Sequence, residues 1–118
     1  MDATTHPEMI VHERLKLTRD PDRGRYELRQ DDAFIGFLGY CQDEIAASDD
    51  AEGEARTVVR LQHTIINEAY GRQGYARALV ALVLQRLSAE GYQIVPECTY
   101  VQSFLQRYPR YESLVYQG

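Results

Sequence analysis

The sequence has few cysteines and no long hydrophobic run. Cys41 and Cys98 are its only cysteines, and they lie far apart in a chain of 118 residues. We therefore expect both to be free thiols rather than parts of a disulfide framework. No apolar stretch approaches the roughly 20 residues that a membrane-spanning helix needs. The start of the chain also lacks the basic and apolar segments of a secretory signal, so we expect a cytoplasmic protein that does not bind membranes.

Basic residues are not in excess either. The formal net charge is −5, which argues against nucleic acid as the main partner. Six acidic residues and no basic one fall between Asp43 and Ala55, so the rest of the chain holds 12 acidic against 13 basic residues. We interpret this run as a solvated loop between strands, with attraction of a cationic acceptor as the alternative. His6 and His12 have no metal-ligand spacing with either cysteine, and we expect no metal site.

Short apolar and alternating segments between turn residues predict four strands in the first half of the chain. They are Arg14 to Thr18, Arg25 to Gln30, Ala33 to Cys41 and Arg56 to Ile66. The nearly continuous apolar run of the third strand favours a central strand that is covered on both faces. Alternation along the fourth strand places four side chains on one face: Val59, Leu61, His63 and Ile65. On that face His63 would be buried among apolar neighbours.

The second half of the chain changes to helical spacing. Apolar residues at i, i+3 and i+4 predict an amphipathic helix from Gly74 to Glu90, which Gly91 ends. A short strand from Tyr92 to Val95 and a second helix from Thr99 to Tyr108 follow, and Pro109 closes that helix. The resulting order is β-β-β-β-α-β-α. The length suits one α+β domain, which we place at residues 9–118 after a disordered tail at residues 1–8.

Glycine and arginine are concentrated where the fourth strand meets the first helix, in the segment YGRQGYARAL. Gly71 and Gly74 permit positive φ and close backbone approach, and the first N–H groups of the helix carry the positive end of its dipole. Such a turn can hold a pyrophosphate mostly by main chain, with charge added by Arg72 and Arg77. The segment has neither the GK[ST] of a P-loop nor the third glycine of a dinucleotide fold. An ordinary strand-to-helix turn that favours glycine is the alternative.

This turn resembles motif A of the GCN5-related N-acetyltransferase (GNAT) superfamily, [QR]xxGx[GA], which wraps the pyrophosphate of acetyl-CoA. Gly74 and Ala76 match the motif, whereas Gly71 occupies its first position and Arg72 the second, so that the familiar Arg-Gly order is reversed. The resemblance implies acetyl-CoA as the cosubstrate. It also implies that seven consecutive residues form the cofactor cradle: Gly71, Arg72, Gln73, Gly74, Tyr75, Ala76 and Arg77.

The order of the elements also resembles the GNAT fold, a mixed and mostly antiparallel sheet of about five strands with two main helices. The helical segment that normally follows the first strand and the last two strands are missing from the pattern. The segment from Pro96 to Tyr100 resembles the PxCx[FY] segment of a short, single-domain GNAT-like subfamily. In GNAT proteins the fourth and fifth strands splay apart, and the resemblance implies that the backbone of Thr64 and Ile66 pairs with the pantetheine arm.

Three side chains are candidates for the chemistry. Cys98 lies at the start of the last helix, near the place of an incoming thioester, and is the candidate nucleophile, with a core-filling thiol as the alternative. His63 is the candidate general base, with a buried structural histidine as the alternative. Tyr108 resembles the tyrosine that protonates the leaving thiolate in these proteins, although Tyr100 or Tyr111 could serve as well.

The sequence therefore predicts an N-acetyltransferase-like protein that moves acetyl from acetyl-CoA to an amine acceptor, either directly or through Cys98. A CoA or acetyl-CoA sensor without acceptor chemistry is the main alternative, since no acidic residue follows Arg56 in the fourth strand. A small regulatory domain that binds another anion is a third. The sheet edge left by the missing last strands also allows a homodimer.

Overall fold

A computed structural model describes residues 14–45 and 56–116. The predicted tail at residues 1–8 and most of the acidic run lie outside the described residues. The elements follow the predicted order: β1 (Leu15–Asp20), β2 (Arg25–Gln30), β3 (Ala33–Ile45), β4 (Arg56–Ile66), α1 (Tyr75–Ala89), β5 (Gln93–Pro96) and α2 (Thr99–Arg107). Short 3₁₀ segments follow β4 at Glu68–Tyr70 and α2 at Pro109–Leu114.

The five strands form one sheet in sequence order, from β1 at one edge to β5 at the other. β1 to β4 pair antiparallel with one another, and short turns connect β1 to β2 and β2 to β3. β5 pairs in parallel with β4, because α1 carries the chain back across the sheet between them. A mixed, mostly antiparallel five-stranded sheet with two main helices is therefore confirmed.

Both helices pack into one core on the inner face of the sheet. The apolar stripe predicted for α1 is buried there, together with one side of α2 and alternate residues of the strands. The fully buried members are Leu28, Ile35, Leu38, Leu61, Tyr75, Leu79, Val80, Val83, Leu84, Leu87, Ile94 and Val101. Neither helix of the described chain has the length and apolarity that a membrane crossing requires.

The outer face of the sheet carries polar and aromatic side chains instead. Glu27, Phe37 and His63 lie there on three successive strands, and the guanidinium of Arg25 lies 4.4 Å from the centre of the Phe37 ring. No described helix packs on this face, because both belong to the core on the other side. The expectation that β3 is covered on both faces is therefore wrong for the described residues.

A β-bulge in β4 changes which side chains share a face. Gly39 of β3 pairs with His63, whereas the next residue, Tyr40, pairs with Leu61, so Gln62 is an extra residue in β4. Leu61 is fully buried on the inner face, but Ile65 beyond the bulge is 49% exposed and His63 is also exposed. The prediction that these residues share a face is wrong, because simple alternation does not continue through an inserted residue.

β3 is longer than predicted and includes the first acidic residues of the run. It extends to Ile45 rather than ending at Cys41. The Arg60 side chain donates a hydrogen bond of 2.8 Å to Asp43, and Thr57 donates one to Glu44. These two acids are therefore strand residues with partners on β4, not parts of a loop.

The chain adds one more sheet contact after the last 3₁₀ segment. Val115 forms a parallel bridge with Ile94 of β5, and the N–H of Tyr116 donates to the Ile94 carbonyl oxygen at 2.8 Å. Among the described residues, this bridge is the only pairing at the edge of β5 that faces away from β4.

Candidate functional site

The turn between β4 and α1 has two residues in the left-handed region. Gly74, which precedes the first residue of α1, has φ 91°, and Arg72 has φ 64°. Gly71 has φ −68°, an ordinary value for any residue. The expectation that both glycines supply positive φ is thus correct for Gly74 only. In the reversed Gly71-Arg72 pair, the arginine and not the glycine adopts the left-handed conformation.

The start of α1 presents main-chain donors without a side-chain cap. The first intrahelical bond runs from the Ala78 N–H to the Gly74 carbonyl oxygen at 3.0 Å, and no side chain of the described residues caps the helix. The N–H groups of Ala76 and Arg77 therefore have no helical acceptor, and the helix dipole makes this end attractive to an anion. Tyr75 differs from its neighbours, because its side chain is fully buried in the core and packs edge-on against Tyr70.

Gln73 carries an unsatisfied polar atom within this turn. Its side-chain oxygen Oε1 is buried and has no hydrogen-bond partner among the described residues. A buried amide oxygen without a partner costs roughly 1–3 kcal/mol. A ligand that donates a hydrogen bond here would remove that cost.

β4 and β5 separate beyond Leu61, as predicted for the cofactor gap. Their ladder ends where Leu61 pairs with Pro96, and the N–H groups of Glu97 and Cys98 both donate to the Leu61 carbonyl oxygen, at 2.9 and 2.8 Å. The N–H of Asn67 donates to Ile35 on β3. Because backbone groups alternate along a strand, those of Ile66 and Thr64 point to the opposite edge, where β5 has already turned away.

Cys98 lies beside this gap, at the start of α2. Its side chain is 7% exposed, and its Sγ is 3.4 Å from the hydroxyl oxygen of Thr64. The structure thus brings together a predicted nucleophile and a predicted residue of the pantetheine edge. The thiol also contacts the core, so the core-filling interpretation and the reactive one both remain compatible with its position.

A groove of about 220 Å³ runs between α1 and the last part of the chain. Gly74, Arg77 and Tyr108 line it, so the structure brings these three predicted site residues together. Among the described residues, two arginines and no carboxylate line the groove, and Arg110 is the second of these arginines. Tyr108 ends α2, is half-buried and packs against Phe104 with 4.7 Å between the ring centres.

Further positive charge lies close to this groove. Partial burial raises the pKa of Tyr100, while the nearby charges of Arg77 and Arg107 act in the opposite direction. Arg107 and Arg110 were not predicted as site residues. Arg107 is the last residue of α2, where basic residues are common for helix-dipole reasons alone, and Arg110 lies in the 3₁₀ segment that follows, so their spacing carries no ligand signal.

His63 lies apart from the groove, on the outer face of the sheet. Its imidazole is exposed and contacts the Phe37 ring edge-on, with 5.8 Å between the ring centres. Gly39 makes room for it, because a Cβ on Gly39 would lie 2.6 Å from His63 Nε2. The structure therefore removes the buried alternative for His63 and places it on the opposite side of β4 from the core.

Comparison with known proteins decides the family of this chain. A family model described as GCN5-related N-acetyl-transferase matches residues 25–114. The chain belongs to this GNAT family. No curated protein sequence matches it.

Two solved structures resemble this GNAT chain. The acetyltransferase from Vibrio fischeri has a TM-score of 0.50 and 24% identity, over 63% of this chain and 59% of that protein. The ribosomal-protein-alanine N-acetyltransferase from Brucella melitensis has a TM-score of 0.48 and 17% identity, over 83% of this chain and 66% of that protein. The chain thus spans less than two thirds of either protein, and the likeness to the Vibrio protein supports the GNAT fold alone.

The GNAT chain offers no cluster for a metal ion in its described parts. No group of three or more His, Cys, Asp or Glu side chains in residues 14–45 and 56–116 is arranged as a ligand set. The residues described above instead supply main-chain donors, guanidinium groups, a thiol, a phenol and an imidazole.

Proposed function

We propose that this GNAT protein binds acetyl-CoA and transfers the acetyl group to an amine. The observation that carries the proposal is the pairing of two features on one connected segment. These are the β4 edge that loses its partner beyond Leu61 and the uncapped start of α1 that follows it. One suits the amides of pantetheine, and the other suits a pyrophosphate.

The residues present fit such a ligand. Ala76 and Arg77 offer main-chain N–H groups that would donate to the pyrophosphate. Arg77 and Arg110 line a groove to which the described part of the chain contributes no carboxylate, which favours a polyanion. Thr64 and Ile66 direct backbone groups into the gap between β4 and β5. When bound, acetyl-CoA would supply an activated acetyl group as a thioester.

In the direct route, the amine nitrogen forms a bond to the thioester carbonyl carbon as the carbon–sulfur bond breaks. A backbone N–H near Ile66 would stabilise the oxyanion that develops on the carbonyl oxygen. His63 is exposed on the outer face of β4 and would take the proton that the amine loses. Tyr108, in the groove with Arg77, would give a proton to the departing CoA thiolate.

In the covalent route, the Cys98 thiolate would attack the thioester carbonyl carbon and displace the CoA thiolate, and the amine would then attack the acetyl-cysteine and release the Cys98 thiolate. The position of Sγ at the gap, beside the hydroxyl of Thr64, supports this route. The low exposure of Cys98 requires that the amine reach it through the gap between the strands. The two routes make different predictions for the mass of the protein.

A sensor that binds CoA without transferring acetyl is the second candidate. The observation in its favour is the separation of His63 from the groove, since the two lie on different surfaces of the sheet. A protein of this kind would bind CoA and acetyl-CoA but would show neither a protein adduct nor acetylated amine.

The test combines thermal shift with intact-mass measurement. The purified protein is incubated with acetyl-CoA, CoA or NAD, with lysine or a short peptide with a free N-terminus as the amine. We expect acetyl-CoA and CoA to raise the melting temperature and NAD to leave it unchanged. No stabilisation by either CoA species would contradict the proposal.

Variants distinguish the routes. Arg77→Gln should weaken CoA binding about tenfold, whereas the exposed Arg14→Gln, far from the groove in sequence, should not change it. Loss of a labile acetyl adduct in Cys98→Ala would support the covalent route. Full turnover in Cys98→Ala together with loss of turnover in His63→Gln would support the direct route. Stabilisation by CoA without adduct or acetylated amine would favour the sensor.

A further inference from the structure

β3 extends beyond the start of β2, so the edge of the sheet has a step at Gly24. β2 begins at Arg25, opposite Gly39, while β3 continues from Tyr40 to Ile45 beyond that point. The last contact between the two chain segments is the hydrogen bond from the Tyr40 N–H to the Gly24 carbonyl oxygen, at 2.8 Å. Beyond it, β3 is paired on its β4 side only within the described residues.

The backbone groups on this step are identified by strand alternation. Because Tyr40 directs its N–H toward β2, Gln42 and Glu44 direct theirs toward the same edge. No described strand occupies that edge, so both residues present N–H and C=O groups in the pattern of an unpaired strand. Such a row is a template for an added strand.

A pocket of about 890 Å³ lies at this step. Five consecutive β3 residues, from Gly39 to Asp43, line it. Consecutive residues of a strand point to opposite faces of a sheet, so a pocket that touches all five reaches the edge of β3, and it also extends over the outer face to Gln62 and His63 of β4. The opposite wall is the turn between β1 and β2, which contributes Pro21, Asp22 and Arg23. A slot with a strand edge on one side suits an extended backbone rather than a compact molecule.

Four arginines and two aspartates, Asp22 and Asp43, line the slot among the described residues, so its lining carries more positive than negative charge. Arg25 and Arg60 have close carboxylate partners, each at 2.8 Å. Arg23 is 66% exposed, and its nearest carboxylate oxygens lie 3.7 and 3.8 Å away. Arg19 also lines the slot; its guanidinium lies 5.9 Å from the centre of the Tyr40 ring, and it has no carboxylate within ion-pair distance among the described residues. Two guanidinium groups therefore flank the free edge without a tight counter-charge.

We propose that the slot between the β1–β2 turn and the free edge of β3 binds an extended acidic peptide as an added strand. The peptide backbone exchanges hydrogen bonds with Gln42 and Glu44, and its carboxylates contact Arg19 and Arg23. The proposal goes beyond acetyl transfer, because this surface lies outside the groove that carries Arg77 and Tyr108, although His63 of the proposed direct route also lines the slot.

The test uses a seven-residue peptide that alternates valine with glutamate and is blocked at both ends, so that it cannot be acetylated. Binding is measured by fluorescence anisotropy and by amide hydrogen exchange. We expect exchange at Gln42 and Glu44 to slow at least tenfold in the complex. A peptide with lysine in place of glutamate, and one with alternate backbone nitrogens methylated, should each bind at least tenfold more weakly.

Protein variants test the same contacts. Gln42→Pro removes one N–H from the free edge, and proline is tolerated at sheet edges, so binding should fall at least tenfold. Gln42→Ala keeps that N–H and should bind within twofold of the original protein. The double variant Arg19→Gln with Arg23→Gln should bind at least fivefold more weakly and does not depend on how well Gln42→Pro folds.

Three results would overturn the proposal. They are unchanged exchange at Gln42 and Glu44 with saturating peptide, equal binding of the N-methylated peptide, and equal binding of the lysine peptide. Light scattering adds a fourth: a dimer that Gln42→Pro dissociates would show that a second copy of the chain occupies the edge. Failure of acetyl-CoA to bind would leave these outcomes unaffected, so the two proposals can fail separately.

Discussion

Arg72 holds a backbone conformation that side chains other than glycine rarely adopt, with φ 64°. A left-handed residue with a Cβ costs roughly 1–2 kcal/mol, and glycine would recover part of this while losing some in unfolded-chain entropy. We expect Arg72→Gly to stabilise the fold by roughly 0.5 kcal/mol in urea unfolding. The same variant should weaken CoA binding, because it removes a guanidinium from the cradle.

Two control variants separate these effects. Arg72→Lys keeps the charge and the strained backbone, so its stability should match the original protein. Arg72→Asn removes the charge, while asparagine tolerates the left-handed region better than most residues. If Arg72→Gly and Arg72→Asn both bind CoA as tightly as the original protein, Arg72 has no role in the cradle. The sequence predicted the anion turn but not the strain, because the motif alone does not reveal which residue turns left-handed.

Gly39 and Gly36 differ in what a side chain would meet. A Cβ on Gly39 would meet the imidazole of His63 at 2.6 Å, which can rotate away because it is exposed. A Cβ on Gly36 would meet the backbone oxygen of Ile65, which cannot move without breaking the ladder. We expect Gly39→Ala to cost less than about 1 kcal/mol of stability, and Gly36→Ala about 2–3 kcal/mol.

Gly39→Ala should also change two measurable properties that depend on His63. Gly39→Ala should shift the NMR signals of the His63 ring, since the ring would leave the edge of Phe37. It should also lower amine acetylation about as much as His63→Ala does. Unchanged ring signals in Gly39→Ala would contradict this prediction. His63 itself was assigned to the wrong face from the sequence, because a single inserted residue at Gln62 leaves no mark in composition or alternation.

Helix α1 has a left-handed glycine at each end, and only one end belongs to the proposed cradle. Gly74 precedes the helix with φ 91°, and Gly91 follows it with φ 77°. An added Cβ at Gly91 would meet no atom within 4 Å, so its cost is conformational alone. We expect Gly74→Ala and Gly91→Ala each to destabilise the protein by about 1–2 kcal/mol. Only Gly74→Ala should weaken CoA binding, as measured by calorimetry at matched fractions of folded protein.

The elements divide into those that local patterns define and those that depend on partners. α1 was predicted well because its apolar stripe and Gly91 are local signals. The end of β3 was not, since Asp43 and Glu44 are poor strand residues whose pairing depends on Arg60 and Thr57 across the ladder. The gap between β4 and β5 was implied by the family resemblance and not by a local pattern. The hydrogen bonds from Glu97 and Cys98 to Leu61, where the two strands part, join residues that are far apart in the sequence.

The molecule as a whole has two unlike faces. The inner face is held by apolar contacts with both helices, whereas the outer face is held by arginine, aromatic and carboxylate contacts between strands. Binary patterning could predict the first arrangement but not the second, because the partners of Glu27 become neighbours only once the strands pair. The outer face therefore makes stability depend on charge and hence on pH.

Glu27 is the residue from which we expect this pH dependence of stability to arise. Its side chain is 9% exposed and contacts the guanidinium groups of Arg25 and Arg29 at 2.8 and 2.9 Å. Hydrogen bonds, the one from Arg29 first, hold the pKa of its carboxyl below the ordinary value, against the opposing effect of burial. Its contribution to stability is therefore present above an ordinary pKa of about 4.3 and is lost as the pH falls through the lower folded-state value.

We expect Glu27→Gln to destabilise the protein by about 2 kcal/mol at pH 7, because the buried guanidinium contacts lose their counter-charge. The difference from the original protein should shrink as the pH falls from 5 to 3, since Glu27 then becomes protonated in the original protein too. Urea unfolding at several pH values measures this difference in the free energy of unfolding.

Asp31→Asn is the matched control: Asp31 pairs with Arg14 at 2.9 Å, but both side chains are more than half exposed. That variant should change stability by less than about 0.5 kcal/mol. A Glu27→Gln difference that stayed constant or grew toward pH 3 would show that packing, rather than charge, sets the contribution of Glu27.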